Sequence, residues 1–248
     1  GAGSGSVIVN QSGNIGPVRI GGDLKGSLGD DSGAIQINGY GSIASISIGG
    51  ALLGANGISS GSIRTLGVGK IGKITIGGGI AGGLGDWSGS ILAGLGSIAG
   101  VTTGDSITGS SGASSGSIEA DADIGPVIIG GAGDLVGGSE SFTGAITSDN
   151  GDIQSVRLNG SLKGGSGDVS WSGIIQADRG TIRRAFIAKD LTGGSVSGTQ
   201  SGGEVGAIVA ANIGSVFVGG DIVAGTNSGS GSLIDSGAIR AHFQIGSV

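Results

Sequence analysis

Hydrophobic residues return along this chain at a nearly constant interval, and an isoleucine opens each return. Successive openings are separated by 28, 28, 27, 26, 29, 29, 31 and 32 residues, a period typical of solenoids and other stacked arrays. The opening residues are Ile15, Ile43, Ile71, Ile98, Ile124, Ile153, Ile182, Ile213 and, in an incomplete last repeat, Ile245.

The order of apolar and polar residues within one repeat predicts short strands. In the first full repeat Val18 and Ile20 flank Arg19, which is the alternation of inward and outward side chains in a strand. A second apolar column follows a glycine-rich turn, and a third follows a turn of small residues. The second column is Leu24, Leu52, Ile80, Ile107, Leu135, Leu162, Leu191 and Ile222. The third column is Ile35, Ile63, Ile91, Ile118, Ile146, Ile175, Ile208 and Ile239.

These columns predict an all-β fold, a parallel β-solenoid of about eight coils of 26–32 residues with three short strands in each coil. Each strand pairs with its equivalent one coil away, at about 4.8 Å. We expect residues 1–248 to form one elongated array about 40 Å long. An incomplete repeat at each end suggests a fragment of a longer array.

Extra residues collect at one corner of the repeat. The second and third columns are 11 residues apart in the first five repeats, 13 in the sixth, and 17 in the seventh and eighth. Such insertions usually decorate one edge of a solenoid, often the edge that meets partners.

Composition narrows the function classes. Glycine supplies 62 of 248 residues, and the formal net charge is -6, so the chain lacks the basic surface expected of a protein that binds nucleic acid or an anionic membrane. It contains no cysteine, which removes disulfides and thiolate metal sites. The chain contains no stretch of 18 apolar residues, so membrane insertion is not predicted. Residues 1–13 do not resemble a signal peptide.

The repeated phrase IGxVxIGGDLxG, followed by SGxI, covers essentially the whole chain. It resembles the glycine-rich repeats of very large bacterial surface β-helix proteins, and is broadly similar to autotransporter passengers and filamentous-haemagglutinin-type adhesins. The resemblance implies secretion, an extracellular or bacterial cell-surface location, and adhesive or structural work. It carries no catalytic residue to this chain.

The sequence predicts no cofactor, although one segment invites comparison with a calcium-binding repeat. Residues 130–135 read GGAGDL, close to the calcium-binding nonapeptide, but Asp134 directly follows Gly133 and the register is wrong. An aspartate that bonds to turn amides is the simpler interpretation.

Candidate catalytic groups are few. Loop carboxylates occur at Asp30, Asp31, Asp86 and Asp168, with a further pair at Asp149 and Asp152; an acidic, solvated edge explains them. The basic residues Arg179, Arg183, Arg184 and Lys189 cluster near Asp178 and Asp190. His242 is the only histidine. A β-helix enzyme that degrades acidic polysaccharides is therefore kept only as a second alternative.

Three aromatic residues occupy related positions in the repeat. Trp87, Phe142 and Trp171 each lie just before the small-residue turn, so stacked coils align them along one edge. Such an edge can stack on sugar rings or enter a neighbouring chain. Covering the corner of their own coil is the alternative role.

A second apolar set lies on the outward side of the first strand. Ile128, Phe186 and Phe217 occupy the position that Arg19 has in the first repeat, and we expect a lateral contact with another subunit or domain there.

The first interpretation is a non-enzymatic spacer or fibre-forming segment that self-associates end to end or laterally. The alternative is an adhesin module that binds glycans through the aromatic edge.

Overall fold

Each opening isoleucine lies directly above the next one. Ile43 pairs with Ile71 and Ile71 with Ile98, and all three side chains are buried. The structure, a computed structural model, describes residues 1–167, 170–196 and 202–248. It confirms the parallel β-solenoid of about eight coils, which we number from the coil that opens at Ile15.

The described strands are short in most coils. In chain order they are β1 (Val7–Val9), β2 (Val18–Ile20), β3 (Leu24–Lys25), β4 (Ile35–Ile37), β5 (Ile43–Ile48), β6 (Leu52–Leu53), β7 (Ile63–Thr65), β8 (Lys70–Ile76), β9 (Ile80–Ala81), β10 (Ile91–Ala93), β11 (Ser97–Thr103), β12 (Ile107–Thr108), β13 (Ile118–Ala120), β14 (Ile124–Ile129), β15 (Leu135–Val136), β16 (Ile146–Ser148), β17 (Ile153–Leu158), β18 (Leu162–Lys163), β19 (Ile174–Ile187), β20 (Leu191–Thr192), β21 (Ser195–Val196), β22 (Gly202–Gly203), β23 (Ala207–Val218), β24 (Ile222–Val223), β25 (Thr226–Asn227), β26 (Leu233–Ile234) and β27 (Ile239–Ser247).

Two large parallel sheets contain most of these strands. The second strands of the coils form an eight-stranded sheet from β3 to β24. The first and third strands belong to one fifteen-stranded sheet, because β19, β23 and β27 continue around the corner that separates third from first strands in earlier coils. Every pairing in these sheets is between equivalent positions of adjacent coils, for example Leu24 with Leu52.

The core is a set of aliphatic columns inside the coil. The three columns predicted from the sequence are buried along most of their length and form one hydrophobic cluster, as β-branched side chains on a pleated surface favour. One column contains a polar residue, Thr103, which lies between Ile76 and Ile129 and is fully buried. Its hydroxyl donates a hydrogen bond to the Asp105 carbonyl at 2.6 Å, so the buried polar group has a partner.

The insertions predicted at one corner form small sheets of their own. In the seventh and eighth coils β21 pairs with β25 and β22 with β26, both between the second and third strands. The corner therefore widens toward the C-terminal end, and the added segments also stack coil on coil.

The outer side of the third strands is covered, which simple alternation does not predict. Gln36, Arg64 and Thr147 point away from the aliphatic core yet are 3%, 8% and 5% exposed. Corner residues lie over them: Asp31, for example, approaches the Arg64 guanidinium at 3.9 Å. The corner before each third strand is thus part of the packed structure.

Stability is expected to depend on whole coils, because each coil is stabilised mainly by its neighbours. Deleting residues 71–97 joins Lys70 to Ile98, and the register is kept because Ile98 is the equivalent of the deleted Ile71. We predict that this variant keeps a cooperative thermal transition within roughly 5–10 °C of the unaltered chain. Deleting only residues 71–84 puts the columns out of register and should abolish the transition. Circular dichroism melts measure the thermal transition of both variants. Equal losses of stability from the two deletions would contradict the dependence on whole coils.

Candidate functional surfaces

In each of the eight coils, one described residue other than glycine adopts a left-handed backbone conformation just before the third strand. We call this set the corner column. Its members are Asp31, Ser59, Trp87, Ser114, Phe142, Trp171, Glu204 and Asp235, with φ between 51° and 62°. Positive φ is uncommon outside glycine and strained for bulky residues, so three aromatic side chains in this column need a compensating interaction or a role.

A buried hydroxyl holds this corner in place. The residue after each corner-column member is serine or threonine in the first six coils. In the third coil Ser88 is fully buried and its Oγ accepts a hydrogen bond from the Gly83 amide at 2.9 Å. Thr143 accepts equivalently from Gly138 at 2.9 Å. Sequence reasoning missed this role, although the recurrent Ser-Gly or Thr-Gly pair before the third-strand isoleucine was its visible signal.

Phe142 and Trp171 lie on adjacent coils and support each other. Their rings are stacked with centroids 5.1 Å apart and planes inclined by 10°. Trp171 Nε1 donates to Glu204 Oε2 at 2.6 Å, and Glu204 also contacts Arg240. The predicted alignment of these two aromatics along one edge is confirmed. Phe142 therefore covers one face of the Trp171 ring, and the Glu204 carboxylate holds its indole nitrogen.

Trp87 stands apart from this pair. Its neighbours in the corner column are Ser59 and Ser114, both buried, and within the described chain no aromatic ring stacks on Trp87. The side chain is 39% exposed despite a φ of 52°. Backbone strain of this kind costs on the order of 1–3 kcal/mol. Every coil adopts this φ at the corner, so it is the exposure of the Trp87 indole, rather than the strain, that favours a ligand contact on this edge.

The outward side of the first strands forms the second surface, which we call the first-strand face. Ile128, Arg157, Phe186 and Phe217 follow one another there on successive coils. The two phenyl rings are stacked at 4.9 Å, and the Arg157 guanidinium lies 4.4 Å from the centroid of the Phe186 ring. The predicted column is therefore continuous, and Phe217 leaves 53% of its surface exposed.

The first-strand face is basic although the whole chain is acidic. From each opening isoleucine onward, or from the start of β2 in the first coil, its strand segments carry Arg19, Lys73, Arg157, Arg183 and Arg184 and no acidic residue. Arg183 is paired with Asp152 at 2.9 Å. Among the described residues, no acidic group lies within ion-pair distance of Arg157 or Arg184.

A groove crosses this face in the third to fifth coils. It encloses about 240 Å³, and Thr75, Gly100, Thr102, Pro126 and Ile128 contribute to its lining. Small side chains at these outward positions create the groove, which has Lys73 at one end.

The aspartate of the calcium-like segment is engaged within the protein. Asp134 Oδ1 accepts from the Ser161 amide of the next coil at 2.7 Å, and Oδ2 lies 2.5 Å from Lys163 Nζ. Burial alone would raise the pKa of Asp134, but the Lys163 and Ser161 contacts lower it below its usual value. Asp23 likewise accepts from the Ala51 amide at 2.8 Å. Within the described ranges no three acidic or histidine side chains gather as a metal site would require.

Several of the other candidate chemical groups bond within the protein. Asp30 and Asp86 accept from amides one coil further on, at 2.9 and 3.0 Å. Arg179 donates to Asn150 at 2.9 Å. Asp168 lies outside the described residues. His242 is exposed on β27.

A partly buried carboxyl escaped the sequence analysis. Glu119 lies between Leu92 and Thr147 on the covered side of the third strands, and its Oε1 accepts from Ser117 Oγ at 2.6 Å. Burial raises the pKa of Glu119 to about 7, and the negative charge of Asp149 adds to this increase. The Ser117 bond acts in the opposite direction but is the weaker influence.

No protein-family model, characterised protein or solved structure matches this chain. The described residues contain no helix that is long and apolar enough to cross a membrane.

Glu119 should make stability depend on pH. The folded chain holds this proton more tightly than the unfolded chain, whose carboxyl titrates near 4.5. The stabilisation that the protonated Glu119 side chain gives to the folded chain is therefore complete below pH 4.5 and is lost as the pH rises to about 7. We predict that Glu119→Gln removes about 3 kcal/mol of the fall in unfolding free energy across this window. Urea unfolding at the two ends of the window, with Glu140→Gln as an exposed control, measures the difference; identical pH profiles for Glu119→Gln and the unaltered chain would refute it.

Proposed function

We propose that this chain is a structural segment of a bacterial cell-surface or secreted protein, and that it acts as a stiff spacer without catalysing a reaction. The unbroken pairing of equivalent residues from coil to coil supports this proposal most directly. The location rests on the resemblance of its repeats to those of large bacterial surface proteins.

The interior of the array favours a mechanical role. Aliphatic columns continue through successive coils, and the corners are fastened by backbone bonds to the next coil, such as Gly54 N to the Ala81 carbonyl at 2.8 Å. Each coil thus shares hydrogen bonds and core contacts with both neighbours. A load along or across the array is distributed over many such bonds rather than concentrated at one contact.

A spacer should lengthen in proportion to its coils. Repeating residues 15–244 in register places Gln244 before a second Ile15, which reproduces the Gln244–Ile245 junction of the chain. We expect the maximum dimension in small-angle X-ray scattering to grow by about 40 Å, while the cross-section remains unchanged.

The unaltered chain is the control for this measurement. Two bodies joined by a flexible connection, or a thicker particle, would contradict a continuous spacer.

The exposure of Trp87 favours a second function, the binding of glycans along the corner column. The indole is 39% exposed and no ring of the described residues stacks on it, so its surface is available for stacking on a sugar. Phe142 and Trp171 extend the same edge two and three coils further on.

Trp87→Ala should weaken glycan binding at least tenfold if this edge is the site, while Trp171→Ala should have a smaller effect because its ring is partly covered. A glycan array followed by calorimetry on any glycan retained makes the comparison. Phe217→Ala, on another face, is the matched aromatic control. Equal losses from all three variants would count against a site at Trp87.

A further inference from the structure

An apolar ridge runs along the corner where third strands pass to first strands. We call this edge the leading corner. Tyr40, Val68 and Leu95 lie there on consecutive coils, 65%, 60% and 54% exposed. Each directly precedes a glycine, and Gly41, Gly69 and Gly96 lie one above the other so closely that a Cβ on Gly69 would approach the Gly41 oxygen at 1.8 Å. The three side chains therefore form one ridge.

The same corner becomes acidic in the following coils. Asp121, Asp123, Asp149, Asp152 and Asp178 lie there over three successive junctions. The aspartates are close enough to influence one another: burial raises the pKa of Asp149, the negative charges of Asp121 and Asp178 raise it further, and the nearby Arg179 lowers it. The leading corner thus presents exposed apolar side chains, beside Lys70, over the first three junctions, and five aspartates with Arg179 over the next three.

The first-strand face carries a matching pattern in the same order. Its groove, partly lined by Gly100, Pro126 and Ile128, occupies the third to fifth coils. Arg157 and Arg184 follow in the sixth and seventh coils, without an acidic partner among the described residues. From the N-terminal to the C-terminal end of the array, the leading corner carries the apolar ridge and then the aspartates. The first-strand face carries the groove and then Arg157 and Arg184.

We infer that the leading corner of one copy docks on the first-strand face of a second copy, with both arrays running in the same direction and displaced by one to two coils. This displacement brings the junctions that carry Tyr40, Val68 and Leu95 opposite the groove. It also brings the junctions of Asp121 and Asp149 opposite Arg157 and Arg184.

Two identical copies are suited to this contact because they share one period. Equivalent residues repeat at about 4.8 Å in both, so a match at one coil is maintained at the next. Charge complementarity then selects the direction. Antiparallel packing would place Arg157 and Arg184 opposite the apolar ridge and leave most of the aspartates opposite uncharged residues such as Thr102.

The contact joins two different surfaces and includes a displacement, so it does not close on itself. Such heterologous association continues to a third and fourth copy. The predicted product is a staggered lateral bundle. This inference rests on the proposed structural role and adds its partner, a second copy of this chain.

Charge exchange between the two surfaces tests the inference. One variant, Arg157→Glu with Arg184→Glu, makes the face negative. The other, Asp121→Lys with Asp149→Lys, makes the corner positive. We expect sedimentation velocity to show concentration-dependent association of the unaltered chain and at least a tenfold weakening in each variant alone. An equimolar mixture should associate again, since each altered surface then meets a partner of opposite charge.

Glu140→Lys with Asp221→Lys changes the net charge equally at other corners and should leave association unaltered. Circular dichroism melts and the scattering dimensions of each monomer establish that the variants keep the array, so loss of association is distinguished from failure of the spacer itself. A chain that stays monomeric at about 1 mM, variants that associate like the unaltered chain, or a mixture that remains monomeric would each overturn the inference. Capture of an acidic polysaccharide by the face, with no self-association, would overturn it as well.

Discussion

Backbone hydrogen bonding between equivalent residues of successive coils is the constraint on which the rest of this molecule depends. Because Ile43 must lie on Ile71 and Ile71 on Ile98, whatever chemistry occupies a position in the repeat becomes a column along the array. Inside the coil this rule demands aliphatic side chains of similar size. At the corners it demands glycine where backbones meet most closely, as at Gly41 and Gly69.

The outward columns follow the same rule but tolerate more variation. The corner column accepts aspartate, serine, phenylalanine and tryptophan at one left-handed position, and the first-strand face changes from hydroxyl to aliphatic to aromatic side chains. Variation there alters what the surface offers without disturbing the core. A functional surface in this protein is therefore a stripe assembled from many coils, with Arg157, Phe186 and Phe217 as one instance, rather than a pocket built from one loop.

The sequence predicted the parts of the fold that periodicity controls. The three aliphatic columns, the parallel pairing and the widened corner all follow from spacing and alternation, which can be read directly. Alternation does not reveal the role of the buried Ser88 hydroxyl, because its partner is a backbone amide; only the recurrence of the Ser-Gly or Thr-Gly pair marked it. The partial burial of Glu119 also escaped, since the residues that cover it come from the corner of the coil. The ridge at Tyr40, Val68 and Leu95 was overlooked because each residue lies in a glycine-rich turn without alternation.

The outer column of the first strands has a wider consequence. It sets eight side chains in one series, from Arg19 to Phe217, at a spacing fixed by the peptide backbone. Each coil thus offers one outward position at a known distance from the next. Chemical groups attached at these positions would be held at known separations, which makes the scaffold suited to arranging ligands, dyes or enzymes in a row.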